Sequence, residues 1–314
     1  MKRGLNHVLS KKYRGVAVVT ALLLTTLAVT IVASLFWQQQ VQVRSIENQR
    51  LQLQQQWVLR GALDWARLIL REDGRNSVID DLNEPWSTPL APIQLDQYIE
   101  SGTSGSGVGN AVLSGSIQDA QGFFNLNNLA TQGNVNAPEV QAFARLLSLV
   151  RQDTSLANVA SKHIAMLYDM ANKPPSTLPR PISLVQIDDL LSVPGFTPKV
   201  IDAIRPYTLV LPTSTPTNVN TAPPELLSAL IPELSLPQAT AITNSRRLSP
   251  FTNVADFTER LRSSANTVDS SRLSVMTHYF LIRGVVGIRG AKLEIQALVE
   301  RQPTATRLLW IKTI

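Results

Sequence analysis

Few residues in this chain are of a type and spacing that could carry chemistry. Its three histidines, His7, His163 and His278, stand far apart, and none lies in a nucleophile elbow, a zinc-protease helix or a phosphate-binding loop. No catalytic residue is assigned. Oxygen ligands for calcium are offered by Asp119, Gly122 and Asn125 at intervals of three, and by the pair Asp188-Asp189. A calcium site needs six or more oxygens; turn formation and helix capping account for both sets as well, and no metal ligand is placed. The glycines of residues 101–110 lack the preceding strand and following helix of a dinucleotide site. The chain has no cysteine, which removes disulfides and thiolate metal sites. The position best suited to chemistry is instead a substrate: Lys11-Lys12-Tyr13-Arg14-Gly15 directly followed by Val16 has the form of a prepilin-type signal, cut between Gly15 and Val16.

The element that would position this bond is Val16–Trp37, 22 residues without charge, Gly or Pro. As a helix it would be about 33 Å long, enough to cross the hydrocarbon of a bilayer. It is longer than the apolar part of a secretory signal, so a plain one-helix anchor is the competing reading. Residues 1–15 hold five of the 29 basic residues and no acid, which places that side in the cytoplasm and leaves the remainder nearly balanced, 24 basic against 23 acidic. The net charge of +6 is therefore a property of the leader, and a general attraction to polyanions is not supported.

Behind Trp37, apolar residues at 43, 46, 53, 57, 63, 68 and 70 continue a helical pattern among Gln and Arg, predicting one helix to about residue 71 with Asp73-Gly74 as its stop. A strand, turn and strand follow at 111–117 and 123–126. Residues 127–270 read as mainly helical, with helices over 140–151 and 156–170 and an extended connector at 173–181. Strands at 275–286, 292–299 and 307–314 end the chain. Since the early strand lacks neighbours of its own, the C-terminal strands are its expected partners, and the helical block is an insertion into their sheet. The expected organisation is a leader (1–15), a long helix (16–72, with 16–37 in the membrane), a first pilin-like part (73–128), an inserted helical domain (129–270) and C-terminal strands (271–314): α+β, with an all-helical insert.

Within the insert, residues 187–204 and 224–242 resemble tandem helix-hairpin-helix units, which makes DNA binding the rival reading. Such hairpins hold phosphate with glycine-rich turns. Here the first has only Gly195 with Lys199 nearby, the second places Glu233 in its turn, and Arg246 and Arg247 are the only added charge. Packing against protein is favoured.

The chain resembles the minor pseudopilin K family of the type II secretion system (the GspK family). The resemblance rests on Arg14-Gly15 before the apolar run, Gln121-Gly122-Phe123-Phe124-Asn125-Leu126-Asn127, Leu190–Pro198, Asn218-Val219-Asn220-Thr221-Ala222 and the 250–257 segment. It implies cleavage by prepilin peptidase between Gly15 and Val16 and N-methylation of Val16. It also implies a place at the tip of a periplasmic pseudopilus with minor pseudopilins I and J. The fifth mature position, commonly Glu in pilins, is Thr20, and a neutral residue there is typical of K proteins. Some members bind calcium through acids of the insert; between His163 and Ser183 this chain has only Asp169. The expected function is a non-enzymatic, cofactor-free tip subunit that starts or caps the pseudopilus. It would be a single-pass inner-membrane protein with its N-terminus cytoplasmic and its head periplasmic. A membrane-anchored DNA-binding protein of an uptake system and a type IV pilus minor pilin are the alternatives.

Overall fold

The computed structural model describes residues 13–95, 111–172, 184–261, 269–288 and 290–314. The chain divides into two compact units, one ending at Trp57 and one from Val58 to Ile314. Helix α1 runs unbroken from Tyr13 to Asn76. Its apolar part is long and apolar enough to cross a membrane, and no residue of that part is buried. Thr20 and Thr25 return their hydroxyls to carbonyls three and four residues back, which satisfies them without an outside partner. The expected stop at Asp73-Gly74 does not stop the helix. Asp73 is held in place by Arg301, and α1 continues to Asn76.

The second unit is built on a five-stranded antiparallel sheet of β1 (Leu90–Gln94), β2 (Val112–Asp119), β9 (Tyr279–Ile288), β10 (Ala291–Arg301) and β11 (Thr306–Thr313), side by side in that order. The early strand does join the C-terminal ones: β2 pairs with β9 from Val112 opposite Gly287 to Asp119 opposite Phe280. β1 was not foreseen because Pro92 interrupts it. The register shifts between Leu90 and Ile93, so the proline sits at an edge-strand bulge where no N–H is needed. Leu63, Ala66 and Leu70 of α1 pack on one sheet face with Phe280, Ile282, Ala297 and Val299, closed by Trp86 set edge-on to Phe280 at 5.3 Å. The alternate residues Tyr279, Leu281 and Leu298 are also buried, together with Ala120 and Leu211 on the insert side. Both faces of β9 are covered, which explains its nearly unbroken apolar sequence.

Between β2 and β9 lies the insert. Its elements are β3 (Phe124–Asn125), β4 (Ala130–Thr131), β5 (Asn134–Val135), α2 (Ala137–Leu149), α3 (Leu156–Asn172), α4 (Pro198–Ile204), β6 (Thr208–Leu209), β7 (Thr217–Asn218), α5 (Pro224–Leu230), α6 (Leu236–Ser245), α7 (Val254–Arg260) and β8 (Leu273–Ser274). They enclose a single large apolar core, in which Phe124 stacks on Phe143 at 5.3 Å and Phe251 meets Phe257 edge-on at 5.0 Å. Residues 123–126 do not form a hairpin with β2. They pair in parallel with Thr208–Leu209, because Asp119 and Asn125 cap the 3₁₀ turns on either side and redirect the chain. The first arm of the first expected hairpin is a 3₁₀ turn, Ile187–Ser192, rather than an α-helix. The expected 173–181 connector lies outside the described residues.

Candidate functional site

Gly15, Val16 and Thr20 lie together in the first turns of α1, all exposed. A side chain at Gly15 would meet nothing within 4 Å, so the residue is not required by packing. Thr20 Oγ1 donates to the carbonyls of Val16 and Ala17, both at 3.0 Å. Its polarity is thus consumed inside the helix and leaves no charge to be matched.

In the second unit, the residues that sequence reasoning singled out are brought together where the insert meets the sheet. Asp119, at the end of β2, accepts from Gln121 N at 2.7 Å, Asn218 Nδ2 at 2.8 Å and Thr221 Oγ1 at 2.6 Å. Asn218 also donates to the Asp80 carbonyl at 3.0 Å. Asn220 exchanges two bonds with the backbone of Phe251. Gln121 accepts from the N–H of His278 and donates to the Pro216 carbonyl, while Asn125, Asn127 and Asn128 hold the 211–215 segment through its backbone. A side chain at Gly122 would come within 2.8 Å of Thr221 Oγ1, which keeps that position a glycine. The motif amides are therefore internal fasteners. They satisfy buried backbone that forms no regular ladder.

An ion cluster completes the junction. Arg301, at the end of β10, donates at 2.6 Å to Asp73 of α1, at 2.6 Å to both oxygens of Asp80, and at 2.9 Å to the Thr277 carbonyl. Its guanidinium lies over the Phe280 ring at 4.8 Å. Burial is the main reason the Asp73 carboxyl is pushed up to about 6; the charges of Glu84 and Asp80 add to this against the pull of Arg301. Burial likewise raises Asp80 and Asp119. Sequence reasoning missed Asp73, Asp80, Thr277 and Arg301 as a group. They are separated by up to 228 residues and no local spacing announces them.

Asp73, Asp80 and Glu84 also form the one acidic group among the described residues whose oxygens lie within 4.8 Å of one another. Arg301 already supplies the cation there, and Glu84 Oε2 accepts from Asp81 N and Trp86 Nε1. Asp188 pairs with Arg205, and Asp189 caps the N–H groups of Val185 and Gln186. The two oxygen sets considered for calcium are thus occupied by protein groups. Residues 173–183 lie outside the described residues, as does His7. His163 lies on α3 and His278 contributes its backbone, with no acid–base partner for either among the described residues.

The features offered for phosphate binding are also committed to the fold. Gly195 has φ +90°, and a Cβ there would come within 2.6 Å of Leu156, so its close approach is to α3. Arg246 is buried and donates at 2.6 Å to the Val219 carbonyl, and burial pushes its guanidinium down to about 10.

This head, threaded through a sheet that packs on the end of an apolar-led helix, is matched by known proteins. Residues 122–213 and 217–276 match two profiles, both described as type II secretion system (T2SS), protein K. The type II secretion system protein K of Pseudomonas aeruginosa is 27% identical over 326 residues, spanning 96% of this chain and 90% of that protein. Over residues 122–276 the chain is similar to the type II secretion system protein K family. A chain of the GspK–GspI–GspJ complex from enterotoxigenic Escherichia coli has the same fold, with a TM-score of 0.66 at 20% identity, covering 85% of this chain and 98% of that one. The two profiles meet close to Pro216, the carbonyl that Gln121 holds, so the amide network joins the two parts of the family's head.

Proposed function

We propose that this protein is a minor pseudopilin of the type II secretion system, placed at the tip of the pseudopilus with minor pseudopilins I and J, where it helps start or cap assembly for protein export. The reading is carried by one combination: a family-K head on a helix whose apolar run begins at Gly15-Val16. In it the chain is made as a single-pass inner-membrane protein, N-terminus inside and head in the periplasm. Prepilin peptidase removes residues 1–15 and Val16 carries the methylated amine. Thr20 suits a terminal subunit. A carboxylate at that depth is costly unless a neighbour's amine meets it, and a hydroxyl bonded to its own helix needs no such neighbour. The role is structural and uses no cofactor.

Coexpression with prepilin peptidase tests this directly. Intact mass and N-terminal peptide mapping are expected to give a mature chain starting at N-methylated Val16, and Gly15→Val is expected to leave the precursor uncut. A mature protein that retains Met1 would overturn the assignment.

A further inference from the structure

The two edges of the five-stranded sheet are built differently. β1 is short, contains Pro92 and shifts register between Leu90 and Ile93, which spoils it as a template for a further strand. β11 runs for eight residues without a proline and, among the described residues, pairs only with β10. Its register shift lies near Leu309, ahead of a regular stretch that sets Trp310–Thr313 against 298–295. The Ile314 N–H turns inward to the Glu294 carbonyl at 3.0 Å. Backbone groups of an antiparallel strand alternate sides, so those of Lys312 and Trp310 also turn inward, while the N–H and C=O of Ile311 and Thr313 point away from the sheet. Ile311 is 50% exposed along this open rim, and Leu308 37%.

The charges beside the rim are of one kind. Leu308 and Ile311 stand opposite Val299 and Ala297, on the sheet face that α1 covers. The flank of α1 turned toward β11 is marked by Arg67, which donates to the Thr306 carbonyl at 2.8 Å. Arg60 and Arg71, seven residues before and four after, share that flank. Asp64 pairs with Arg67, whereas Arg60 and Arg71 have no ion pair among the described residues, and Arg71 Nε is buried without an acceptor. On the other face Lys312 lies over the Trp310 ring at 5.5 Å, also without a carboxylate among the described residues.

We infer that the β11 edge is a docking site for an extended acidic segment of another protein, which joins the sheet as a sixth strand with carboxylates turned toward Arg60, Arg67 and Arg71. The inference does not rest on the pseudopilin reading. The rim decides the shape of the occupant, because only an extended chain offers N–H and C=O groups at the repeat of Ile311 and Thr313, whereas a helix spends its own. The flank decides its charge. Side chains on one face of the added strand fall beside Leu308 and Ile311 and below the arginines, where Asp or Glu is favoured and Lys or Arg is repelled. A second copy of this chain, paired antiparallel edge to edge, would bring the two arginine flanks face to face, so self-pairing is disfavoured.

The test uses the full chain in detergent micelles and two fluorescein-labelled octapeptides, one alternating Glu and Val and one alternating Lys and Val. By fluorescence anisotropy the Glu peptide is expected to bind at least tenfold more tightly than the Lys peptide, and amide hydrogen exchange over 306–314 to slow when it is bound. Arg60→Glu combined with Arg71→Glu is expected to weaken the Glu peptide about tenfold. Ile311→Pro removes one outward N–H while sparing the inward bonds of Trp310 and Lys312, and a similar loss is expected. The double arginine variant, distant from the β10–β11 ladder, keeps the test decisive if Ile311→Pro does not fold. No binding, equal binding of the two peptides, binding without protection at 306–314, or a double variant that binds like the parent would each overturn the site. Self-association that Ile311→Pro abolishes would assign the edge to a second copy instead. N-terminal processing, scored separately, is unaffected by any of these outcomes.

Discussion

Replacing Arg301 with Met tests how the head is held together. The guanidinium is 7% exposed and meets Asp73, at 8%, and Asp80, at 1%. Met retains much of the stem's packing over Phe280 but leaves two buried carboxylates without their cation, Asp80 keeping only the Thr277 N–H, and the Thr277 carbonyl without its donor. Breaking a buried pair by removing one partner costs about 3–5 kcal/mol, and loss of the cation over the ring adds up to about 1 kcal/mol. We expect a loss of about 4 kcal/mol at pH 7.5, measured by urea unfolding of the Val58–Ile314 unit through the fluorescence of buried Trp86. The loss is expected to shrink as pH falls, because Asp73 and Asp80 can then take up protons and no longer need the cation. In the parent the sign is also informative. The Asp73 carboxyl is raised from 3.8 to about 6 by burial first and by Glu84 next. Its contribution to stability is therefore fully present below pH 3.8 and is lost as pH rises through about 6. This one group favours the folded head at mildly acid pH, opposite to an ordinary ion-paired aspartate, and Asp73→Asn should flatten that dependence between pH 4 and 7. A variant Arg301→Met within 1 kcal/mol of the parent at pH 7.5, or a loss equal at pH 5 and 7.5, would refute the argument.

Two further substitutions probe the junction and the insert. Asp119→Ala removes the side-chain acceptor of Gln121 N and Thr221 Oγ1 and one of the two acceptors of Asn218 Nδ2. It should cost about 3 kcal/mol by the same unfolding assay, with Asp119→Asn recovering part of that by keeping one acceptor. Gly195→Ala forces a methyl toward Leu156 at a positive φ, and a loss of about 2 kcal/mol in thermal unfolding is expected. A Gly195→Ala head as stable as the parent would return that glycine to the surface role of a phosphate-binding turn.

Much of the architecture was legible because it is written in periodicity. The apolar run at 16–37 and the β-branched, apolar make-up of the last three strands are local patterns, and each element lies at or within a few residues of its expected place. The early strand's partners followed from a simple exclusion, that a lone hairpin is marginal. What escaped was set by tertiary context. Pro92 hides β1, since a proline inside a strand is read as a break unless the bulge beside it is known. Asp73-Gly74 reads as a helix stop until Arg301, 228 residues away, is seen to hold Asp73. The family motifs Gln121–Asn127 and Asn218–Ala222 were visible, yet their work was not, because an amide in a loop shows nothing in sequence of which distant backbone it will fasten.

That work explains why the junction is polar at all. The insert's own core is apolar and would tolerate sliding of one packed surface over another, since dispersion and burial have little direction. Attachment to the sheet is different. Asn218 must reach both Asp80 and Asp119, Gln121 must meet both Pro216 and His278, and Asn125 must take Leu211 while giving to Thr213. Each amide makes two bonds to groups distant in the chain, so a small displacement breaks both at once and leaves buried polar atoms unpaired. An apolar junction of equal area would hold the insert as firmly but not in one orientation. For a subunit whose proposed task is to present a bulky head in fixed relation to neighbours on a filament tip, orientation is the property that matters, and the buried amides together with the Asp73–Arg301–Asp80 bridge are the groups that supply it.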